Sequence, residues 1–117
     1  MSWYTTTGVT VSAEKAEAFL KAIREDEEHA EDFTSPSRAV RHSDGSITLV
    51  YGWQNHFPCD ELVDLLDEHV GPKDYAMTVA DETNGIEEYG GGQTCHETQI
   101  SISIWADGND FDVTKEE

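Results

Sequence analysis

The chain has 117 residues, and 25 Asp and Glu against seven Lys and Arg leave a formal net charge of −18. Direct binding to DNA or RNA needs basic side chains to neutralise phosphates, and an anionic membrane surface repels an acidic chain, so the composition argues against both as partners. Self-repulsion on this scale opposes compactness, which points to a cationic partner or to concentrated salt.

Three Trp, four Tyr and four Phe supply apolar surface for a core, unlike the composition of acidic disordered tails. The length fits one domain over residues 1–117. Residues Met1 to Thr5 show no basic segment leading into an apolar one, and no apolar run approaches the roughly 20 residues that span a bilayer. Two cysteines, Cys59 and Cys95, do not make a disulfide framework. A soluble cytoplasmic protein is the expectation.

Trp3 to Val11 is rich in Thr, Val and aromatic residues and predicts a strand, with Trp3, Thr5, Thr7, Val9 and Val11 on one face. Ser12 reads as an N-cap before Ala13, and Ala16, Phe19, Leu20 and Ile23 follow at helical spacing. At 100° per residue Glu14, Glu17, Lys21, Glu25, Glu28 and Asp32 project to the opposite side, while Glu27 falls on the apolar side, so the helix outruns the core there or ends nearby. Lys21 stands four residues from both Glu17 and Glu25, a spacing that supports a helix.

Arg38 to His42 and Ser46 to His56 flank Ser43-Asp44-Gly45, a hairpin signal. Ile47, Leu49, Tyr51 and Trp53 alternate along the second of these strands. A second helix is predicted from about Pro58 to Val70, with Leu62, Leu65, Leu66 and Val70 inward and Asp60, Glu61, Asp64, Asp67 and Glu68 outward. Gly71-Pro72 ends it. Tyr75 to Thr83 and Ile86 to Tyr89 flank Asn84-Gly85, the strongest short hairpin signal in the chain. Gly90-Gly91-Gly92 reads as a flexible joint, Thr98 to Ala106 as an alternating strand, and residues 107–117 as an acidic C-terminal tail.

This α+β order, strand, helix, strand, strand, helix and strands, resembles a ferredoxin-like sandwich (βαββαβ) with extra C-terminal strands. The resemblance concerns element order alone. It implies two helices on one face of an antiparallel sheet, so that their outward stripes join into one acidic surface.

Other constellations carry less chemistry. His56, Cys59, Cys95 and His96 hold the inventory of a zinc site, but adjacent Cys95 and His96 point to opposite faces of any strand, so no metal is assigned. Asp107 to Asp112 has a calcium-like look, yet Phe111 stands where an oxygen ligand belongs, and an acidic turn explains it. A Cys nucleophile would sit in a negative field that opposes thiolate formation. Gly90-Gly91-Gly92 lacks the spacing and the Lys of a phosphate cradle. No catalytic residue and no cofactor are assigned, and the chain is expected not to be an enzyme.

The expected function is therefore binding. A nucleic-acid-like acidic face made by Glu14, Glu17, Glu25, Glu28, Asp32, Asp60, Asp64, Asp67 and Glu68 would block a basic nucleic-acid-binding protein, a nuclease or a CRISPR or restriction effector. Phage anti-defence proteins, anti-CRISPR proteins among them, and nuclease immunity proteins form the functional class this chain looks like. An acidic domain adapted to high salt is the alternative; a small metal-binding enzyme is a further one.

Overall fold

The computed structural model describes residues 4–81, 85–91 and 108–115. The order is β1 (Tyr4–Val11), α1 (Ala16–Glu25), α2 (Ala30–Phe33), β2 (Arg38–His42), β3 (Ile47–Asn55), α3 (Cys59–His69), β4 (Tyr75–Asp81), β5 (Gly85–Tyr89) and β6 (Gly108–Asp110). The fold is mixed α+β. Its strands form one sheet in the order β5-β4-β1-β3-β2-β6, and every pairing is antiparallel. No helix among the described residues is long and apolar enough to cross a membrane.

β1 is paired on both sides, which suits its β-branched composition. Its alternation places Thr5, Thr7, Val9 and Val11 on one fully buried face. Val9 stands between Leu49 and Met77, and Val11 between Ile47 and Tyr75. One hydrophobic cluster joins these side chains to Phe19, Leu20 and Ile23 of α1, Phe33 of α2, and Leu62, Leu65 and Leu66 of α3. Each such apolar side chain contributes about 1.5–3 kcal/mol on burial. A slip of one residue in β1 would turn the buried face outward, so the pattern sets the register.

The first helix departs from expectation at its start. Ser12 does not cap it: its hydroxyl donates to Asp74 Oδ1 at 3.2 Å and its amide to the Asp74 carbonyl at 2.8 Å, and the helix starts only at Ala16. At its other end the helix stops after Glu25, close to where Glu27 on the apolar side pointed to an end, because Asp26 is extended (ψ 122°). Asp26 Oδ1 accepts the amides of Glu28 at 3.0 Å and His29 at 2.7 Å, and a separate short helix, α2, follows. An Asp side chain that bonds the backbone two and three residues on offers an alternative to continued helix. The break re-aims Phe33 into the core, where the buried Tyr51 hydroxyl donates to its carbonyl at 2.6 Å. Phe57 completes this group, stacked on Tyr51 at 4.6 Å and edge-on to Phe33 at 6.0 Å.

The Ser43-Asp44-Gly45 hairpin forms as expected, with Gly45 at φ +91° and Asp44 Oδ1 accepting from the Ser46 amide at 2.8 Å and hydroxyl at 2.6 Å. Those bonds hold the Asp44 carboxyl below the ordinary range. Gly85 opens β5 at φ +88°; the Asn84 half of that hairpin signal lies outside the described residues. Gly90, expected in a flexible joint, has φ +82° and lies close against β4, where a Cβ would run into the Tyr75 carbonyl. The predicted strand Thr98 to Ala106 lies outside the described residues.

Part of the expected tail is ordered into the body. β6 pairs with β2, the Phe111 amide donates to the Ala39 carbonyl at 3.2 Å, and Val113 is 3% exposed within the core cluster. Its acidic composition hid two apolar anchors, Phe111 and Val113.

Tyr51→Phe should leave the buried Phe33 carbonyl without its donor, lowering stability by about 1–3 kcal/mol in urea denaturation. Asp44→Ala should lower the melting temperature at pH 7. Because the folded carboxyl titrates below its unfolded value near 3.8, that contribution is present above 3.8 and fades as pH falls through the lower folded value. The gap between wild type and Asp44→Ala in melts from pH 7 to pH 2 should therefore close only at the acid end.

Candidate functional site

α1 packs against α3, and the extended turn at Asp26 carries the chain past the helix-helix contact. An open cleft of about 750 Å³ results, with Ala22 and Leu65 supplying its apolar lining. One wall holds Glu25, Asp26, Glu27 and Glu28. The other holds Glu61, Asp64 and Glu68, which repeat along one side of α3. His29 and His69 complete the lining, and no Lys or Arg contributes to it among the described residues.

The histidines sit against carboxylates. His29 Nε2 is 3.7 Å from Glu28 Oε2 and its Nδ1 is 3.8 Å from Asp32 Oδ2, with the ring tilted over Phe33 at 5.6 Å. His69 Nε2 is 3.9 Å from Glu68 Oε2. These distances are contacts between exposed or half-exposed groups, in which water and salt screen most of the interaction.

All nine acidic residues singled out from the sequence are exposed, but they do not form one set. Glu25, Glu28, Asp64 and Glu68 meet in the cleft. Glu17 Oε1 is instead 3.3 Å from Arg41 Nη2 on β2. Asp67 Oδ1 accepts the Tyr75 hydroxyl at 2.7 Å, tying α3 to β4. Glu14 lies in the turn before α1, Asp32 on α2 faces His29, and Asp60 sits in the first turn of α3. Sequence reasoning missed Asp26, Glu27, Glu61, His29 and His69 as cleft residues. Glu61 was legible, since Glu61, Asp64 and Glu68 share an i, i+3, i+7 stripe. Glu27 was not, because a continuous helix puts it on the apolar side.

The zinc inventory does not assemble among the described residues. Cys59 is buried, with Sγ 3.6 Å from Thr7 Oγ1 and 4.0 Å from Thr5 Oγ1 on β1. His56 is exposed at φ +57°, and Cys95 and His96 lie outside the described residues. Burial pushes the Cys59 thiol up despite its hydrogen bonds to Thr7 and Thr5, and nearby Asp60 and Glu61 push it further. A thiol so placed is a poor nucleophile.

Comparison with protein-family models, curated proteins and solved structures finds no match to this chain.

Asp26→Ala removes the acceptor that starts the turn and sets one wall of the cleft. It should destabilise the protein by about 0.5–2 kcal/mol, read in thermal melts at matched ionic strength.

Proposed function

We propose that this chain is a binding protein whose acidic cleft imitates a nucleic-acid backbone and blocks a basic nucleic-acid-binding protein, such as a nuclease or a CRISPR or restriction effector. The observation that carries the reading is the cleft: seven carboxylate residues from two separate segments line one space that, among the described residues, no Lys or Arg lines. Stems of helical residues three and four apart lie about 5–6 Å from each other, a spacing comparable to that of phosphates along a strand. The partner's Lys and Arg would enter the cleft and its rim, and association would be fast and salt-sensitive.

The fold supports the same reading. We read the mixed α+β sheet, with its central order β4-β1-β3-β2, as a ferredoxin-like sandwich to which α2 and the edge strands β5 and β6 are added. In that arrangement α1 and α3 share one face of the sheet, and their acidic sides are presented together. A buried, raised Cys59 thiol is a poor candidate nucleophile.

The cleft also carries a physical cost. Asp64 stands three or four residues from Asp60, Glu61, Asp67 and Glu68, and like-charge pairs at such spacing destabilise a helix by about 0.2–0.5 kcal/mol each. Asp67 and Glu68 also lie at the negative end of the α3 dipole. Residues kept for binding at the expense of stability give a mutational signature of opposite signs.

The second reading, adaptation to high salt, is favoured by exposed acids remote from the cleft lining, including Glu87 and Glu88 on β5. The deciding experiment replaces Glu61, Asp64 and Glu68 together with Lys and passes lysate over wild type and variant at low salt. Asp67 is spared because its bond to Tyr75 is structural. Wild type should retain one nucleic-acid-handling protein that duplex DNA competes off. The variant should lose it while melting at a higher temperature. Scattered basic proteins released at modest salt, with a melting temperature that climbs into molar KCl, would replace mimicry with salt adaptation.

A further inference from the structure

Two histidines stand among the acids of the cleft: His29 just before α2 and His69 at the end of α3. His29 is held from two sides. Its amide donates to Asp26 Oδ1 at 2.7 Å, and its ring tilts over Phe33, a core residue, at 5.6 Å. Both of its ring nitrogens meet carboxylates, Nε2 with Glu28 Oε2 at 3.7 Å and Nδ1 with Asp32 Oδ2 at 3.8 Å. A neutral imidazole has one N–H and turns a lone pair towards the other carboxylate; only the protonated ring offers a donor to both. His69 Nε2 lies 3.9 Å from Glu68 Oε2. Glu28 and Glu68 belong to opposite walls, so each wall has one imidazole beside one of its carboxylates.

We propose that the cleft holds its cationic partner at neutral pH and releases it on mild acidification, because protonated His29 and His69 become counterions to Glu28 and Glu68. The inference rests on the reading of the cleft as the binding surface. The other titratable groups facing this space are Glu25, Asp26 and Glu27 beside α1 and Glu61 and Asp64 on α3, with Asp32 of α2 against His29. All of these are carboxylates. As a class carboxylates ionise near about pH 4 and imidazoles near about pH 6.5, so between pH 7.5 and pH 5.5 the histidines are the members of this lining that change charge. Seven carboxylates leave the cleft at −7 with neutral rings and at −5 with two imidazolium rings. Proton and partner therefore compete for the same carboxylates, and by reciprocity a bound partner displaces protons.

The test measures binding of a fluorescent deca-arginine peptide at fixed low ionic strength, at pH 7.5 and pH 5.5. Arginine keeps its charge across that range, so the probe itself does not titrate. Wild type should bind about five-fold more weakly at pH 5.5, and a His29→Gln, His69→Gln double variant should lose most of that difference. Whatever the carboxylates, His42, His56 and His96 contribute is common to both proteins and drops out of the comparison. Calorimetry at pH 6.5 in buffers of different ionisation enthalpy should show wild type releasing protons on binding, and the variant releasing fewer. Should the double variant fail to fold, His69→Gln at the exposed end of α3 replaces it and should remove part of the difference. Equal pH dependence in wild type and variant, or wild-type binding as tight at pH 5.5 as at pH 7.5, would overturn the proposal and leave the cleft reading standing. Binding at pH 7.5 that survives replacement of Glu61, Asp64 and Glu68 with Lys would remove the cleft reading itself, and this inference with it.

Discussion

Pairing of β1 on both of its edges is the constraint on which the remaining structure depends. Its buried face fixes β3 on one side and β4 on the other, residue against residue, with Val9 between Leu49 and Met77. The apolar stripes of α1 and α3 join the same cluster. Once those stripes face the core, the acidic sides of the helices have nowhere to go but outward. The register of one strand thus sets the positions of charges on two helices that β1 itself never carries.

Charge then acts against the fold that displays it. Acids crowd α3 at spacings that weaken a helix, and the cleft faces four carboxylates on one wall with three on the other. The structure offsets this with apolar burial and with local hydrogen bonds that turn some acids into structural groups. Asp26 and Asp44 stabilise turns, and Asp67 anchors Tyr75. The acidic residues therefore play different parts: some bond within the fold, some line the cleft, Asp26 does both, and others such as Glu87 and Glu88 are exposed elsewhere. The proposed function concerns those at the cleft.

The arginines bond within the fold as well. Arg24 of α1 and Arg38 and Arg41 of β2 converge on residues 108–115. A chain with so few basic residues keeps its arginines engaged with backbone, ring and carboxylate. Guanidinium groups suit this work because several fixed donors satisfy a main-chain segment that a point charge would leave half bonded.

Much of the fold was legible in the sequence. Alternation along β1 and β3 and the stripe of Leu62, Leu65 and Leu66 survive translation because period and burial are local properties of the chain. The Ser43-Asp44-Gly45 turn is equally local, needing one positive φ and one carboxylate. The ends of α1 were less legible, because Ser12 is claimed by Asp74, 62 residues away, and Asp26 chooses its own turn over the helix. Residues 108–115 were least legible, since composition gave an acidic tail where Val113 and three arginines make a seat.

By itself, then, the sequence determined most of the elements, their inward faces and the net charge, all of which depend on spacing and composition. Only the tertiary structure decided which acids share a space. Glu17 and Asp67 lie on outward stripes as convincing as that of Asp64, yet Arg41 of β2 and Tyr75 of β4 claim them. Asp26 and Glu27 joined the cleft because a helix stopped where periodicity would have carried it on. Side-chain partners across a fold are settled by proximity, and proximity between residues far apart in the chain follows from packing alone.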